Sequence, residues 1–172
     1  MDSAMDISAL PERSQIVLHG LKEAGLDTSV RELSDSARTA VDAAQLLGCE
    51  VGAIANSLLF IADDTPVLVM TSGKHRVDLP TLATAIEATD VRMATAKEVR
   101  AITGQAIGGV APTGHPQPIT TVIDATLADY AQVWTAAGTP DTVMPLTFAD
   151  LVALTRGTVR TVVGSSLASA TE

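Results

Sequence analysis

Aromatic side chains are nearly missing from this 172-residue chain: one Trp, one Tyr and two Phe make up 2% of it. A core built here must come from Val, Leu, Ile and Ala, and the 47% hydrophobic fraction is enough for one of good size. Cysteine is limited to Cys49. That excludes an internal disulfide and a cysteine-rich metal site, and Cys49 reads as a small buried hydrophobe in preference to a nucleophile. No His, Asp and Glu cluster has ligand spacing, so no metal and no cofactor are expected. Positive charge is short as well: eleven Lys and Arg against twenty Asp and Glu leave a formal charge of −9. This favours solubility and opposes strong unaided binding to nucleic acid, whose affinity rests on neutralised phosphates. Any RNA contact has to be local or assisted by a partner. No apolar run approaches the length of a membrane span, and residues 1–10 have neither the basic region nor the apolar run of a secretory signal. A cytoplasmic protein without membrane contact is expected. Gly-x-Gly-x-x-Gly, Walker and His-Glu-x-x-His patterns are all lacking.

Glycine and proline, by contrast, are concentrated in one place. The stretch Gly108-Gly109-Val110-Ala111-Pro112-Thr113-Gly114-His115-Pro116-Gln117-Pro118 holds three of each. Glycine opens φ angles closed to other residues and admits a ligand close to the backbone; proline fixes φ and removes a donor. Such a loop is stiff and irregular. It reads either as a connector between strands or as a backbone-lined pocket for a carbonyl or phosphate oxygen.

Around this loop the chain alternates short elements. Pro11 opens a helix with Val17, Leu18, Leu21 and Ala24 on its apolar face, ended by Gly25. Val30–Leu33 reads as a strand and Ser34-Asp35-Ser36 as a turn. Thr39 with Asp42 starts a helix that carries Val41, Ala44, Leu46 and Leu47 and stops at Gly48. Cys49–Ile54 is a turn or half-helix. Asn56–Ala62 and Pro66–Thr71, joined by Asp63-Asp64-Thr65, should pair antiparallel. Asp78 and Pro80 begin a helix to about Ala88, and Val91–Ala94 is a strand. Thr95 and Glu98 form a capping box for a helix closed by Gly104. After the loop come a strand at 119–123, a short helix at 125–130 and strands at 133–136 and 142–146. Pro145 suggests that the last of these lies at an edge. Thr147 with Asp150 caps a helix to Arg156, ended by Gly157, and 158–163 is the final strand. Hairpins mixed with crossovers argue for an α+β fold, a mixed sheet with helices packed around it. One domain over 11–163 is expected, with loose tails at 1–10 and 164–172.

These stretches together resemble the YbaK/EbsC-type aminoacyl-tRNA editing domains. The resemblance is carried by Leu47-Gly48-Cys49 with Val51-Gly52 before Ser57-Leu58, by Ser72-Gly73 and by Arg76-Val77-Asp78-Leu79. It continues in Gly108-Gly109-Val110-Ala111-Pro112 with Gly114, and in Trp134 through Pro140 followed by Leu146-Thr147. It implies a partly barrel-like mixed sheet flanked by helices, and a pocket for the aminoacylated 3′ end of a tRNA. It also implies hydrolysis of the ester that links a wrong small amino acid to that tRNA, around proline-tRNA quality control, with a synthetase as a further partner. In the family's Gly-x-x-x-Pro loop, Gly108 through Pro112 here, backbone amides hold the substrate carbonyl and stabilise the oxyanion.

On that reading Gly108, Gly109 and Asn56 are the candidate catalytic positions. Val110, Ala111, Pro112, Gly114, His115, Ser72, Gly73, Lys74, Arg76, Gly138 and Asp141 are the candidates for binding substrate. The family usually carries Lys where Asn56 stands. Lys brings a point charge, Asn a neutral amide with one donor end and one acceptor end. Lys74 is then a candidate to replace the lost cation. Each candidate has a plainer reading: Asn56 as a polar strand start, Lys74-His75-Arg76 as a solvated loop with Arg76 paired to Asp78, His115 as polar surface, Trp134 as core or pocket wall. The exchange of Lys for Asn leaves two functions open, a deacylase or a binding module of the same fold that takes an aminoacyl- or nucleotide-like ligand or a synthetase.

Overall fold

The computed structural model describes residues 10–26, 28–33 and 39–163. The expected turn Ser34-Asp35-Ser36 and the expected tails, apart from Leu10, lie outside the described residues. Leu10 itself is no tail residue: it is buried in the main core, and its carbonyl accepts the Gln15 side-chain amide at 2.8 Å.

Helices start where a side chain can take an orphan amide. After α1 (Glu12–Glu23), which follows Pro11, each helix has such a cap. Thr39 caps α2 (Ala40–Leu47), Asp78 caps α3 (Leu79–Ala85), Thr95 caps α4 (Ala96–Thr103) and Thr147 caps α5 (Phe148–Thr155). At α4 the box is complete, and Glu98 also takes both ends of the Arg92 guanidinium at 2.8 Å. These bonds, Arg92 first, pull the Glu98 carboxyl down to about 2. Helix α3 stops at Ala85, short of the expected Ala88, because Ile86 leaves helical geometry and Glu87 turns to φ 58°. Helix α5 is ended by Arg156 in the left-handed region (φ 54°), not by Gly157. Gly157 is needed for room, since a Cβ there would sit 2.9 Å from Ile123 Cδ1.

The eight strands are β1 (Arg31–Glu32), β2 (Ile54–Ala62), β3 (Thr65–Ser72), β4 (Val91–Met93), β5 (Thr120–Asp124), β6 (Val133–Ala136), β7 (Thr142–Leu146) and β8 (Thr158–Arg160). They form one mixed sheet in the order β1-β7-β6-β2-β3-β5-β8, with β4 also paired to β2. Strands β2 and β3 are the expected antiparallel hairpin. Asp63 and Asp64 turn it with φ of 49° and 70°, the sense that matches strand twist. The Asp63 carboxylate holds the turn against the segment before β4 by accepting the Thr89 and Asp90 amides at 2.9 and 2.8 Å. The last strand is three residues long and not six.

Strand β7 is not the edge that Pro145 suggested; it lies between β6 and the two-residue β1. Pro145 is tolerated because β1 pairs only with Thr142 and Val143, so the outer side of β7 is open at Pro145. There Thr28 Oγ1 donates to the Pro145 carbonyl at 2.7 Å.

One pairing detail creates the site. Strand β3 lines one edge of β2 from Ala55 to Ala62. On the other edge β6 takes only Ile54 and Ala55, and β4 takes Phe60 to Ala62. Between them, Asn56 to Leu59 have no ladder partner, although the Leu59 carbonyl accepts the Ala94 amide at 3.0 Å. The sheet parts along this stretch.

Candidate functional site

A cavity of about 580 Å³ fills the parting in the sheet. Its floor is β2 from Ile54 to Leu59, and its far wall is Trp134-Thr135-Ala136 on β6 with Thr142 and Val143 on β7. Ala94 and Val99 close one end, and Ala40 and Ala43 of α2 the other. Ile107, Gly108, Val110 and Pro140 complete the lining. Met93 and Ile107 on the rim are more than half exposed, at 54% and 58%. Trp134 is buried in the wall beneath the Arg31 guanidinium, 5.0 Å from its ring centre. None of the described residues that line the cavity carries an ionisable side chain.

The Gly/Pro loop is held from inside the protein. Gln105 is 2% exposed. Its Oε1 accepts the Ala111 amide at 2.8 Å, and its Nε2 donates to the Thr113 carbonyl at 3.3 Å. The Gly109 amide closes a turn on the Ala106 carbonyl at 2.8 Å, and the Gly109 carbonyl accepts the Gly138 amide at 3.0 Å. Several amides of the loop have no acceptor among the described residues; of these, those of Gly108 and Val110 belong to residues that line the cavity. Gly108 sits at φ 89°, which only glycine adopts easily.

The candidates therefore separate. Asn56, Gly108 and Val110 come together at the cavity. Gly109 is buried behind them: a Cβ there would stand 2.5 Å from the Thr139 carbonyl carbon and 2.8 Å from the Pro140 nitrogen, so its smallness serves loop-to-loop packing. Ala111 and Pro112 are buried next to it, and the Ala111 carbonyl accepts the His115 Nε2 hydrogen at 2.8 Å. Gly114 and His115 face a second hollow of about 440 Å³ on the other side of the loop, against α1. His115 is thus half-buried and bonded, not polar surface; burial first of all holds its pKa below the ordinary value. Gly138, at φ 109°, packs on the Arg13 backbone. The Asp141 carbonyl accepts the Leu33 amide at 2.8 Å.

The Ser72 loop lies beside the cavity without lining it. Ser72 is buried; its Oγ donates to the Gly52 carbonyl at 2.7 Å and its amide donates to Asp124. Gly73 lets α2 approach, since a Cβ would meet Ala40 Cβ at 2.7 Å. Lys74 Nζ lies over the Tyr130 ring, 5.9 Å from its centre. His75 Nε2 meets the buried Asp124 Oδ2 at 2.5 Å. Burial raises the Asp124 pKa, but the Ser72 and Thr126 amides and His75 outweigh it, and the net direction is down. Arg76 is exposed and is not paired with Asp78, whose carboxylate instead caps α3 through the Thr81 amide and hydroxyl.

The family model for the aminoacyl-tRNA editing domain matches residues 34–154, a span that holds the parted strand, the loop and both cavity walls. The chain belongs to the aminoacyl-tRNA editing domain family. Among curated relatives, proline--tRNA ligase of Lactobacillus acidophilus is 30% identical over 115 residues, 64% of this chain and 20% of that one. Proline--tRNA ligase of Lactobacillus gasseri is 35% identical over 98 residues, 57% of this chain and 17% of that one. The chain thus spans about a fifth of the length of these relatives. A crystal structure of a candidate trans-editing enzyme for prolyl tRNA synthetase is 39% identical, with a TM-score of 0.86, and the match covers 91% of this chain and 99% of that one.

Two residues of the site escaped the sequence. Gln105 gave no signal: it is one polar residue between a helix stop and a loop. Thr135 did give one, as the one hydroxyl in the otherwise apolar strand Val133–Ala136.

Proposed function

We propose that this protein hydrolyses the ester of a tRNA misacylated with a small amino acid, acting in trans on the 3′ end of the tRNA. The observation that carries this reading is the pair of unengaged amides, Gly108 and Val110, over a cavity without ionisable lining among the described residues. An aminoacyl ester is already reactive. Two unengaged donors available to its carbonyl oxygen, with water or a ribose hydroxyl as nucleophile, meet what the reaction requires. Asn56 is on the cavity lining, and while its backbone belongs to the β2–β3 ladder its side chain has no hydrogen bond among the described residues, so the side-chain amide is free to orient the ester. The cavity's apolar walls suit a small side chain, and the acidic surface calls for a partner, a synthetase for example, to bring the tRNA. A cytoplasmic setting follows from that substrate. No helix among the described residues is long and apolar enough to cross a membrane.

Asn56 in place of Lys favours a second reading, a binding module of the same fold without turnover. One assay separates the two. Alanyl-, cysteinyl- and seryl-tRNA are incubated with the purified protein and amino-acid release is followed. Release above the spontaneous rate for at least one substrate is expected. No release from any of them, with binding of an aminoacyl-nucleoside retained, establishes the binding module.

A further inference from the structure

Four residues with hydroxyl side chains line the cavity: Thr39, Ser57, Thr135 and Thr142. Three of them are engaged elsewhere. Thr39 Oγ1 caps α2 by accepting the Asp42 amide at 3.1 Å. Ser57 Oγ donates to Met70 Sδ at 3.1 Å. Thr142 Oγ1 accepts from Ser14 Oγ at 3.1 Å and from the Thr139 amide at 3.3 Å, and donates to the Thr139 carbonyl. Thr135 is different. The residue is 1% exposed, and its Oγ1 has no hydrogen-bond partner, the one such buried side-chain atom among the described residues. It stands beside Ala55 on β2 and Met144 on β7, with no polar neighbour at either register position.

A buried hydroxyl without a partner carries a desolvation penalty that nothing in the protein offsets, and native proteins hold few of them. Valine would fill the same space without that cost. Thr135 therefore fits a wall that receives a polar group from outside. An aminoacyl ester offers two polar centres: its carbonyl, which needs donors, and its α-amino group, which needs a hydrogen-bond partner. The loop amides are donors only and suit the carbonyl. No carboxylate among the described lining residues is present to take the amine. A hydroxyl takes an amine in either protonation state, accepting from an ammonium or donating to a free amine.

We propose that Thr135 is a substrate-binding residue whose hydroxyl holds the α-amino group of the aminoacyl moiety, opposite the Gly108 and Val110 amides. This rests on the editing reading given above and adds to it the atom that recognises the amino acid as an amine.

The test uses the full chain and the variants Thr135→Val and Thr135→Ser. Hydrolysis of alanyl-tRNA and of the same tRNA carrying a propionyl ester, which lacks the amine, is measured with melting temperatures. Wild type should show a KM about tenfold lower for the alanyl ester, the worth of one hydrogen bond to a polar or charged group. Thr135→Val should lose that preference while melting at the same temperature or higher, because it removes an unsatisfied group. Thr135→Ser should keep the preference. An unchanged KM in Thr135→Val overturns the proposal, and so does a fall in melting temperature that accounts for the lost activity. If wild type hydrolyses nothing, the editing reading fails separately. Equilibrium binding of 3′-alanylamino-3′-deoxyadenosine then decides: about tenfold weaker binding by Thr135→Val supports the proposal, and equal or absent binding overturns it.

Discussion

Gln105 reaches from the end of α4 into the Gly/Pro loop and takes the Ala111 amide on its Oε1 at 2.8 Å. The bond is buried, so its loss leaves an amide without a partner. Gln105→Leu should lower stability by about 1–3 kcal/mol. It should also lower kcat for deacylation by a larger factor than it raises KM, because the Gly108 and Val110 amides are then no longer held for the transition state. Urea unfolding and initial rates check this; a stability loss with normal kcat would mean that the loop keeps its shape without Gln105.

Gly109, a candidate catalytic position by resemblance, has a packing task in the structure. With a Cβ placed 2.5 Å from the Thr139 carbonyl carbon, Gly109→Val must push two loops apart. Stability and activity should fall together, with a loss of about 1–3 kcal/mol or more from overpacking. Gly108→Ala has open space, its nearest neighbour being Pro140 at 3.9 Å, but a φ of 89°. It should cost about 1 kcal/mol and reduce deacylation beyond what that explains. Thermal melts beside rate measurements separate the two cases.

Asn56 and Lys74 can be ranked by position. Asn56 is on the cavity floor, while Lys74 lies over Tyr130 and does not line the cavity. Asn56→Lys should raise the initial deacylation rate, by up to about a hundredfold if the cation restores positioning. Lys74→Ala should change it less than about threefold. Rates on alanyl-, cysteinyl- and seryl-tRNA provide the check; abolished activity in Lys74→Ala would show that Lys74 supplies the cation after all.

The pH dependence of stability follows from His115. Burial lowers its folded pKa below the ordinary 6.5 or so. The unfolded chain then binds the proton more readily than the folded one, so the stabilisation from neutral His115 is present above the unfolded pKa. It is lost as pH falls through that value toward the folded one. Denaturant midpoints should therefore drop between pH 7.5 and pH 5.5 in wild type and drop less in His115→Gln. An equal drop in both would assign the effect to other groups.

How far the sequence could be read depended on the range of the signal. Helix starts were legible because Thr39, Asp78, Thr95 and Thr147 each act on an amide three residues away, and the β2–β3 hairpin because its turn is two residues long. The boundary at α5 was missed by one position, since a nearby glycine was there for packing and an arginine took the left-handed turn. The pairing of Ile54 and Ala55 with Trp134 and Thr135 could not be read, because nothing local encodes which edge a strand joins. The Gly/Pro loop with Gly108 and Val110 was a pocket candidate by composition and Asn56 through the family resemblance, but that they meet at one cavity could not be read for the same reason. The separation of Gly109, Gly114 and the Ser72 loop from the cavity needed the packing.

The partners of β2 also set the order in which the molecule can become competent. Its hairpin partner β3 follows within a few residues, but the wall that begins at Val133 is made some seventy positions later. As the chain emerges from the ribosome, β2 and the Gly/Pro loop are already synthesised while the parting in the sheet still has only one side. The cavity is thus a late product of folding, not a pocket carried by any local segment. A chain stopped before β6 would have the loop amides but no Trp134, no Thr135 and nothing for an amino acid to lean against.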